Sequence, residues 1–276
     1  MPYIKVAEGT SAPVELHYED HGSGRPVVLI HGWPLDGASW ERQTAALLAA
    51  GHRVVTYDRR GFGRSDRPAE GYDYDTFAAD LHAVLTALDL REVTLVGFSM
   101  GSGEVARYLG NHGSGRIAGA VMIGVVPPFL LKTEDNPAGV DGGVFEGIEA
   151  ALRADRFAFL DDFLADFYNV DVLGGERISE QAVRASWNVA AGASAKATVD
   201  CVRAWLTDFR EDLPRIDVPV LIVHGDADRT LPIDSTAIPL ARRIPGAELK
   251  IVAGGPHGLL WTHADEVNEA LLAFLG

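Results

Sequence analysis

The sequence predicts an α/β fold: a mostly parallel sheet flanked by helices, with a helical cap inserted between two of its strands. Three observations carry that expectation. Short runs rich in Val and Ile recur between longer segments of helical period, as when strands and helices alternate along a parallel sheet. From Pro127 to Asp217 the alternation stops and only helical spacing is found. Finally, a Gly-x-Ser-x-Gly run from Gly97 to Gly101 joins a strand-like run to a helix-like one.

Taken in order, Tyr3–Val6 and Val14–Tyr18 are apolar stretches joined by a short Gly/Ser/Pro segment, and they read as an antiparallel hairpin at one edge. Pro26–Ile30 and Arg53–Tyr57 are the next strands, and between them Trp40, Thr44, Leu47 and Leu48 share a helical face. Phe77, Leu81, Val84, Leu85 and Leu88 form a second such stripe before the strand Val93–Val96. Ser102 to Leu109 is helical, and Ala118–Val125 is a buried strand that ends at Pro127-Pro128. The apolar window around that strand, Ile117 to Val126, is far too short to cross a bilayer. In the cap, Phe145–Leu152, Phe157–Phe167, Ala182–Val189 and Ala197–Leu206 carry helical spacing. Pro219–Val223 and Glu248–Val252 return to the sheet, and Val267, Ala270, Leu271 and Phe274 form a last stripe that Thr262 and Asp265 open as a capping box. The expected division is a core of residues 1–126 and 218–276 carrying a cap of residues 127–217.

The 276 residues include 24 Lys and Arg against 39 Asp and Glu, a net charge of −15. Such acidity disfavours nucleic acid and anionic membranes as partners, since phosphate binding needs clustered basic side chains. A hydrophobic share of 47% supports a real core rather than disorder. Cys201 stands alone, which excludes an intrachain disulfide, and is expected to be a small buried apolar side chain. The opening residues Met1 to Lys5 lack an apolar leader, so a cytoplasmic location is expected.

The chemistry concentrates at three strand ends. The strand, Gly97-Phe98-Ser99-Met100-Gly101, helix order is that of a nucleophile elbow, in which a strained serine is tolerated because its neighbours two residues away are glycines. A serine hydroxyl is a weak nucleophile, so it needs a histidine to take its proton and an acid to orient that histidine. Asp226 and Asp228 follow the strand ending at Val223, and His257 follows the last strand between Gly255-Pro256 and Gly258. On position alone either aspartate could be the acid. His224 reads as a structural histidine at a strand terminus, and His17, His21, His52, His82, His112 and His263 as residues of surface helices or turns. A tetrahedral intermediate also needs two backbone N–H donors, one after the nucleophile and one after an earlier strand. Those are Met100 and Trp33 of His31-Gly32-Trp33-Pro34, because Pro34 has no N–H to give.

Nearly the whole chain resembles the cofactor-free bacterial haloperoxidase, perhydrolase and aryl esterase group of the α/β-hydrolases, and the actinomycete bromoperoxidases in particular. The resemblance rests on His31 to Gly37, Tyr57 to Ser65, Gly97 to Gly101, Asp228-Arg229-Thr230-Leu231-Pro232-Ile233 and Pro256 to Trp261. It implies an α/β-hydrolase fold with an eight-stranded sheet, and it places the acid on Asp228. Ser99 is then the nucleophile, His257 the base, and Trp33 and Met100 the oxyanion donors. The resemblance implies no cofactor or metal, an ester or small carboxylic acid as substrate, hydrogen peroxide as second substrate, and halide oxidised in solution by the peracid formed. Pro34 after the oxyanion Trp implies a lean towards perhydrolysis, and the group's habit implies a homotrimer. Plain carboxylesterase or lactonase chemistry keeps the same serine, whereas dehalogenases and epoxide hydrolases place Asp at the elbow. A silent hydrolase fold used for binding or assembly is the remaining class. The cap holds 17 acidic and 9 basic residues, a net of −8, expected to hold ionised carboxylates away from the pocket.

Overall fold

The structure, a computed structural model, describes residues 2–6 and 13–276. Its eight strands are β1 (Tyr3–Val6), β2 (Val14–His21), β3 (Pro26–Ile30), β4 (Arg53–Tyr57), β5 (Val93–Phe98), β6 (Ile117–Ile123), β7 (Val220–Gly225) and β8 (Glu248–Val252). They form one sheet in the order β1-β2-β4-β3-β5-β6-β7-β8, antiparallel at β1/β2 and β2/β4 and parallel elsewhere. The edge hairpin is thus present, although its connection through residues 7–12 lies outside the described residues. The helices are α1 (Glu41–Ala49), α2 (Tyr74–Ala87), α3 (Met100–His112), α4 (Gly142–Phe167), α5 (Val170–Leu173), α6 (Glu180–Gly192), α7 (Ala195–Ala204), α8 (Ala237–Arg243), α9 (Leu259–Thr262) and α10 (Ala264–Leu275).

The continuous apolar runs of the central strands follow from burial on both faces. In β3, Val28 and Ile30 join the core formed with Phe77, Leu81 and Val84 of α2 and Val105 of α3. Val27 and Leu29 point the other way, into the core shared with Leu47 of α1 and Val267 and Leu271 of α10. Each such side chain, fully withdrawn from water, contributes about 1.5–3 kcal/mol. Cys201 is buried as expected, and burial pushes its thiol up to about 12.

Helices α4 to α7 lie between β6 and β7 in the chain. The two expected segments of α4 appear as the halves of one helix broken at Asp155, whose backbone is extended (φ −152°, ψ 93°). Its carboxylate accepts the N–H groups of Phe157 and Ala158, both at 3.1 Å, and so caps the second half.

Several expectations need correction. Thr262 does not open α10: it ends α9, its hydroxyl donates to the Gly258 carbonyl, and α10 starts after His263 without a side-chain cap. His17, His52 and His263 are not surface residues. All three are buried, and His17, inside β2, has Nδ1 3.4 Å from the Asp58 carboxylate. β6 stops at Ile123 because Gly124 turns the chain at φ +54°. Among the described residues no helix is long and apolar enough to cross a membrane.

Candidate active site

Strand β5 delivers Ser99 into a backbone conformation that L-residues avoid, φ +53° and ψ −120°. Local contacts over-determine it. The Ser99 N–H donates to the Ile123 carbonyl at 2.8 Å, while the Ser99 carbonyl accepts the Ser102 N–H at 2.9 Å and the Ser102 hydroxyl at 2.5 Å. The flanking glycines are obligatory. A Cβ on Gly97 would lie 2.4 Å from the Gly101 carbonyl oxygen, and one on Gly101 would lie 2.3 Å from that of Ile30.

His257 reaches Ser99 across the end of the sheet, with Nε2 2.9 Å from Oγ, and its Nδ1 lies 2.7 Å from Oδ2 of Asp228. An ionised carboxylate only accepts, so Nδ1–H donates to Asp228, leaving Nε2 to accept the serine proton. Asp228 is further held by the Thr230 and Leu231 N–H groups at 2.9 and 2.7 Å on Oδ1. His224 packs against the same carboxylate, with Nε2 3.3 Å from Oδ2. Its Nδ1 accepts from the Val125 N–H and its Nε2–H donates to the Leu231 carbonyl, which fixes the tautomer of this buried histidine. Burial alone would raise the Asp228 carboxyl, but the facing imidazoles of His257 and His224 hold it well below the usual range. Asp226 is exposed and ties off the neighbouring loop by accepting the Gly254 N–H at 2.7 Å.

The loop after β3 closes against the elbow. A Cβ on Gly32 would meet the Ser99 Cβ at 2.9 Å. Trp33 follows, its indole N–H donating to the Thr198 carbonyl of α7 at 3.1 Å and its ring edge-on to Phe163 and Trp205. Pro34 is buried behind it, joined by a cis peptide. Met100 is the first residue of α3, where a backbone N–H has no partner within the helix.

Beneath this loop lies a fully buried cluster that joins His31, Tyr57 and Arg59 of two motif segments to Glu104, which no motif marks. Arg59 donates to Glu104 Oε2 at 2.8 Å and to the His31 carbonyl at 3.0 Å, while its own backbone N–H donates to His31 Nε2 at 2.9 Å. Tyr57 donates its hydroxyl to Glu104 Oε1. Nothing in the local pattern marks Glu104, because α3 is buried on nearly every side and shows no polar stripe.

Ser99 opens into a cavity of about 110 Å³ roofed by the inserted helices. Its walls include Trp33, Val126, Leu130, Phe145, Phe159, Phe163, Trp205 and Thr230, with no charged side chain among them. Among the aromatics of the elbow and the inserted helices, Phe145, Phe159, Phe163 and Trp205 line the cavity that holds Ser99. Phe98, Phe167 and Tyr168 line a separate cavity of about 150 Å³. Phe129 is buried with the Arg210 guanidinium over its ring, and Trp187 packs on the exposed Phe157. The acidic residues of α4 are outside the cavity. Glu146, Asp161, Asp162 and Asp166 are all exposed, so the walls repel ionised carboxylates through their apolarity rather than their charge.

Among the described residues no group of three or more His, Cys, Asp or Glu could hold a metal ion. Residues 25–264 match the family model described as alpha/beta hydrolase fold. The chain is 44% identical to a non-heme chloroperoxidase from Kitasatospora aureofaciens, over all of this chain and 99% of that one. It is 38% identical to a bifunctional esterase/perhydrolase from Acinetobacter calcoaceticus, with the same coverage. The crystal structure of a bromoperoxidase from Bacillus anthracis superposes with a TM-score of 0.94 at 51% identity, covering 99% of this chain and 98% of that one. With the elbow, its histidine and its acid arriving in the chain order of that fold, this protein belongs to the α/β-hydrolase family.

Proposed function

We propose that the protein is a serine hydrolase that transfers an acyl group from a small ester or carboxylic acid to water or hydrogen peroxide, without a cofactor. The reading is carried by the unbroken relay from Ser99 Oγ through His257 to Asp228, at 2.9 and 2.7 Å. Ser99 attacks the acyl carbon as His257 takes its proton, and the developing oxyanion is met by the N–H groups of Trp33 and Met100. The alcohol, or water from an acid, leaves with the proton from His257, and an acyl-enzyme remains. Hydrogen peroxide then gives up a proton to His257 and attacks the acyl group, releasing a peracid and restoring Ser99. The peracid passes oxygen, with its proton, to bromide or chloride in solution, giving hypohalous acid and the carboxylate. Pro34 on the oxyanion loop supports the peroxide branch over hydrolysis alone. The uncharged cavity walls favour substrates that enter neutral, so a carboxylic acid enters protonated.

The core of residues 1–126 and 218–276 supplies this machinery, and the cap of residues 127–217 shapes the acyl pocket. The assembly we propose is a homotrimer, in the cytoplasm. Intact mass after incubation with an acetate ester tests the reading. An acetyl adduct present in the wild type, absent in Ser99→Ala, and discharged faster by peroxide than by water is expected. Equal p-nitrophenyl acetate turnover by both proteins overturns the hydrolase reading, and peroxide-insensitive discharge leaves a plain esterase.

A further inference from the structure

The C-terminal end of α4 touches both loops that carry the acid and the base. Its Phe167 carbonyl accepts the N–H of Gly258, the residue after His257, at 2.7 Å. Two residues on, the Asn169 carboxamide Nδ2 donates to the carbonyl of Ala227, the residue before Asp228, at 2.9 Å. The rings here press on the same loops. Phe167 stands edge-on to His257 with centroids 5.0 Å apart, and a Cβ on Gly258 would lie 2.3 Å from Tyr168. One turn back along α4, Phe163 is part of the wall facing Ser99.

Asn169 is costly to keep for any lesser purpose. It sits in the left-handed region (φ 48°, ψ 51°), where glycine would serve as a helix terminator without a side chain. Instead a carboxamide is buried, at 3% exposure, with Oδ1 lacking any hydrogen-bond partner among the described residues. A buried unpartnered amide oxygen opposes folding. What the side chain gains is the single bond to the Ala227 carbonyl. From this we propose that Asn169 is a positioning residue, through which the end of the cap's long helix holds the Asp228 loop in line with His257.

The proposal rests on the Ser99 hydrolase reading, and its test separates the two. The acetyl adduct on the wild type, absent in Ser99→Ala, judges that reading by itself. Asn169→Gly keeps the left-handed backbone and removes the donor, and Asn169→Asp keeps the shape while placing an acceptor against the Ala227 carbonyl. The charged and titratable groups around the pair are few. His224 and His257 face Asp228, and Arg229 beside it is turned to Asp171 and Asp166 on the cap side.

With p-nitrophenyl acetate, Asn169→Gly is expected to lose about tenfold in kcat with KM nearly unchanged, since the serine pocket is untouched and the relay is misaligned. Asn169→Asp is expected to lose more. In Asn169→Gly the acid limb of kcat/KM moves to lower pH, because a carboxylate that faces the imidazole less well stabilises the imidazolium less, whereas Asn169→Asp, whose added carboxylate itself favours the imidazolium, is judged on kcat alone. Asp171→Asn, which breaks only the exposed pair with Arg229 on the same segment, keeps wild-type kinetics. A wild-type kcat in both Asn169 variants overturns the proposal. So does a loss of kcat that merely follows a fall in Tm while the acid limb of Asn169→Gly stays fixed.

Discussion

Gly101→Ala adds one methyl group at the point where helix, elbow and oxyanion loop converge. The new Cβ would sit 2.3 Å from the Ile30 carbonyl oxygen, 3.0 Å from its carbon and 3.1 Å from the His31 carbonyl oxygen. Ordinary contact begins near 3.4 Å, so a separation of roughly 1 Å must be created between α3 and the end of β3. Nothing there is a pliable side-chain tip. All three atoms are backbone, and they lead directly into Gly32 and Trp33. Opening that contact moves the Trp33 N–H away from the Met100 N–H, and a displacement of about 1 Å in a catalytic constellation costs on the order of 100-fold. We therefore expect kcat/KM for p-nitrophenyl acetate to fall about 100-fold, equivalent to about 2.7 kcal/mol of transition-state stabilisation. Overpacking should also remove about 1–3 kcal/mol of stability, lowering Tm by a few to about 10 °C. Gly147→Ala is the matched control. Gly147 is an exposed residue within α4 whose added Cβ would meet nothing within 4 Å, so the same methyl should raise stability by about 0.5–1 kcal/mol. Wild-type turnover by Gly101→Ala at an undiminished Tm would refute the reasoning, as would the two variants shifting Tm in the same direction.

Two further outcomes follow from groups outside the relay. Asp36, one residue past the buried Leu35, has its carboxyl raised from 3.8 to about 6, first by burial and then by the nearby Asp58. A carboxyl whose pKa is raised by folding contributes stability at low pH that disappears as pH rises through about 6, a loss of at most about 3 kcal/mol. Asp36→Asn, which can still accept the Ala38 N–H, should flatten the decline in urea-unfolding free energy between pH 4 and 7; an unchanged slope would count against it. Glu104→Gln leaves the Arg59 guanidinium buried without a counter-charge and should cost about 3–5 kcal/mol, read from the urea midpoint. A loss below about 1 kcal/mol would mean that the pair is not what holds Arg59 in place.

The features legible along the chain are mostly local ones. The five central strands declare themselves because burial on both faces leaves runs such as Val27-Val28-Leu29-Ile30 with no polar interruption. The elbow is legible because its geometry demands glycine at two fixed positions around Ser99. The roles read for Asp228 and His257 depend on chain order and resemblance, and their contact across 29 residues is a tertiary fact. The features that leave no trace in the sequence are of that tertiary kind throughout. Asn169 looks like any turn residue until the Ala227 carbonyl is brought to it across 58 residues of sequence. Likewise Glu104 and Arg59 are 45 residues apart, and His17 meets Asp58 only because β2 and β4 are neighbours. The capping box failed for a related reason: the chain spends Thr262 on the Gly258 carbonyl of the turn that carries His257.

The extended residue at Asp155 divides α4 into parts with different obligations. The segment before it contributes Phe145 and Ile148 to the cavity wall and makes no hydrogen bond to the acid or base loop. The segment after it also lines the cavity, through Phe159 and Phe163, but is tied to those loops through Phe167. Acyl-chain preference can therefore drift by substitution ahead of Asp155 while catalytic alignment is inherited unchanged behind it. A library built to retune substrate range should be confined to residues 142–154, and screened for new esters rather than for recovered turnover.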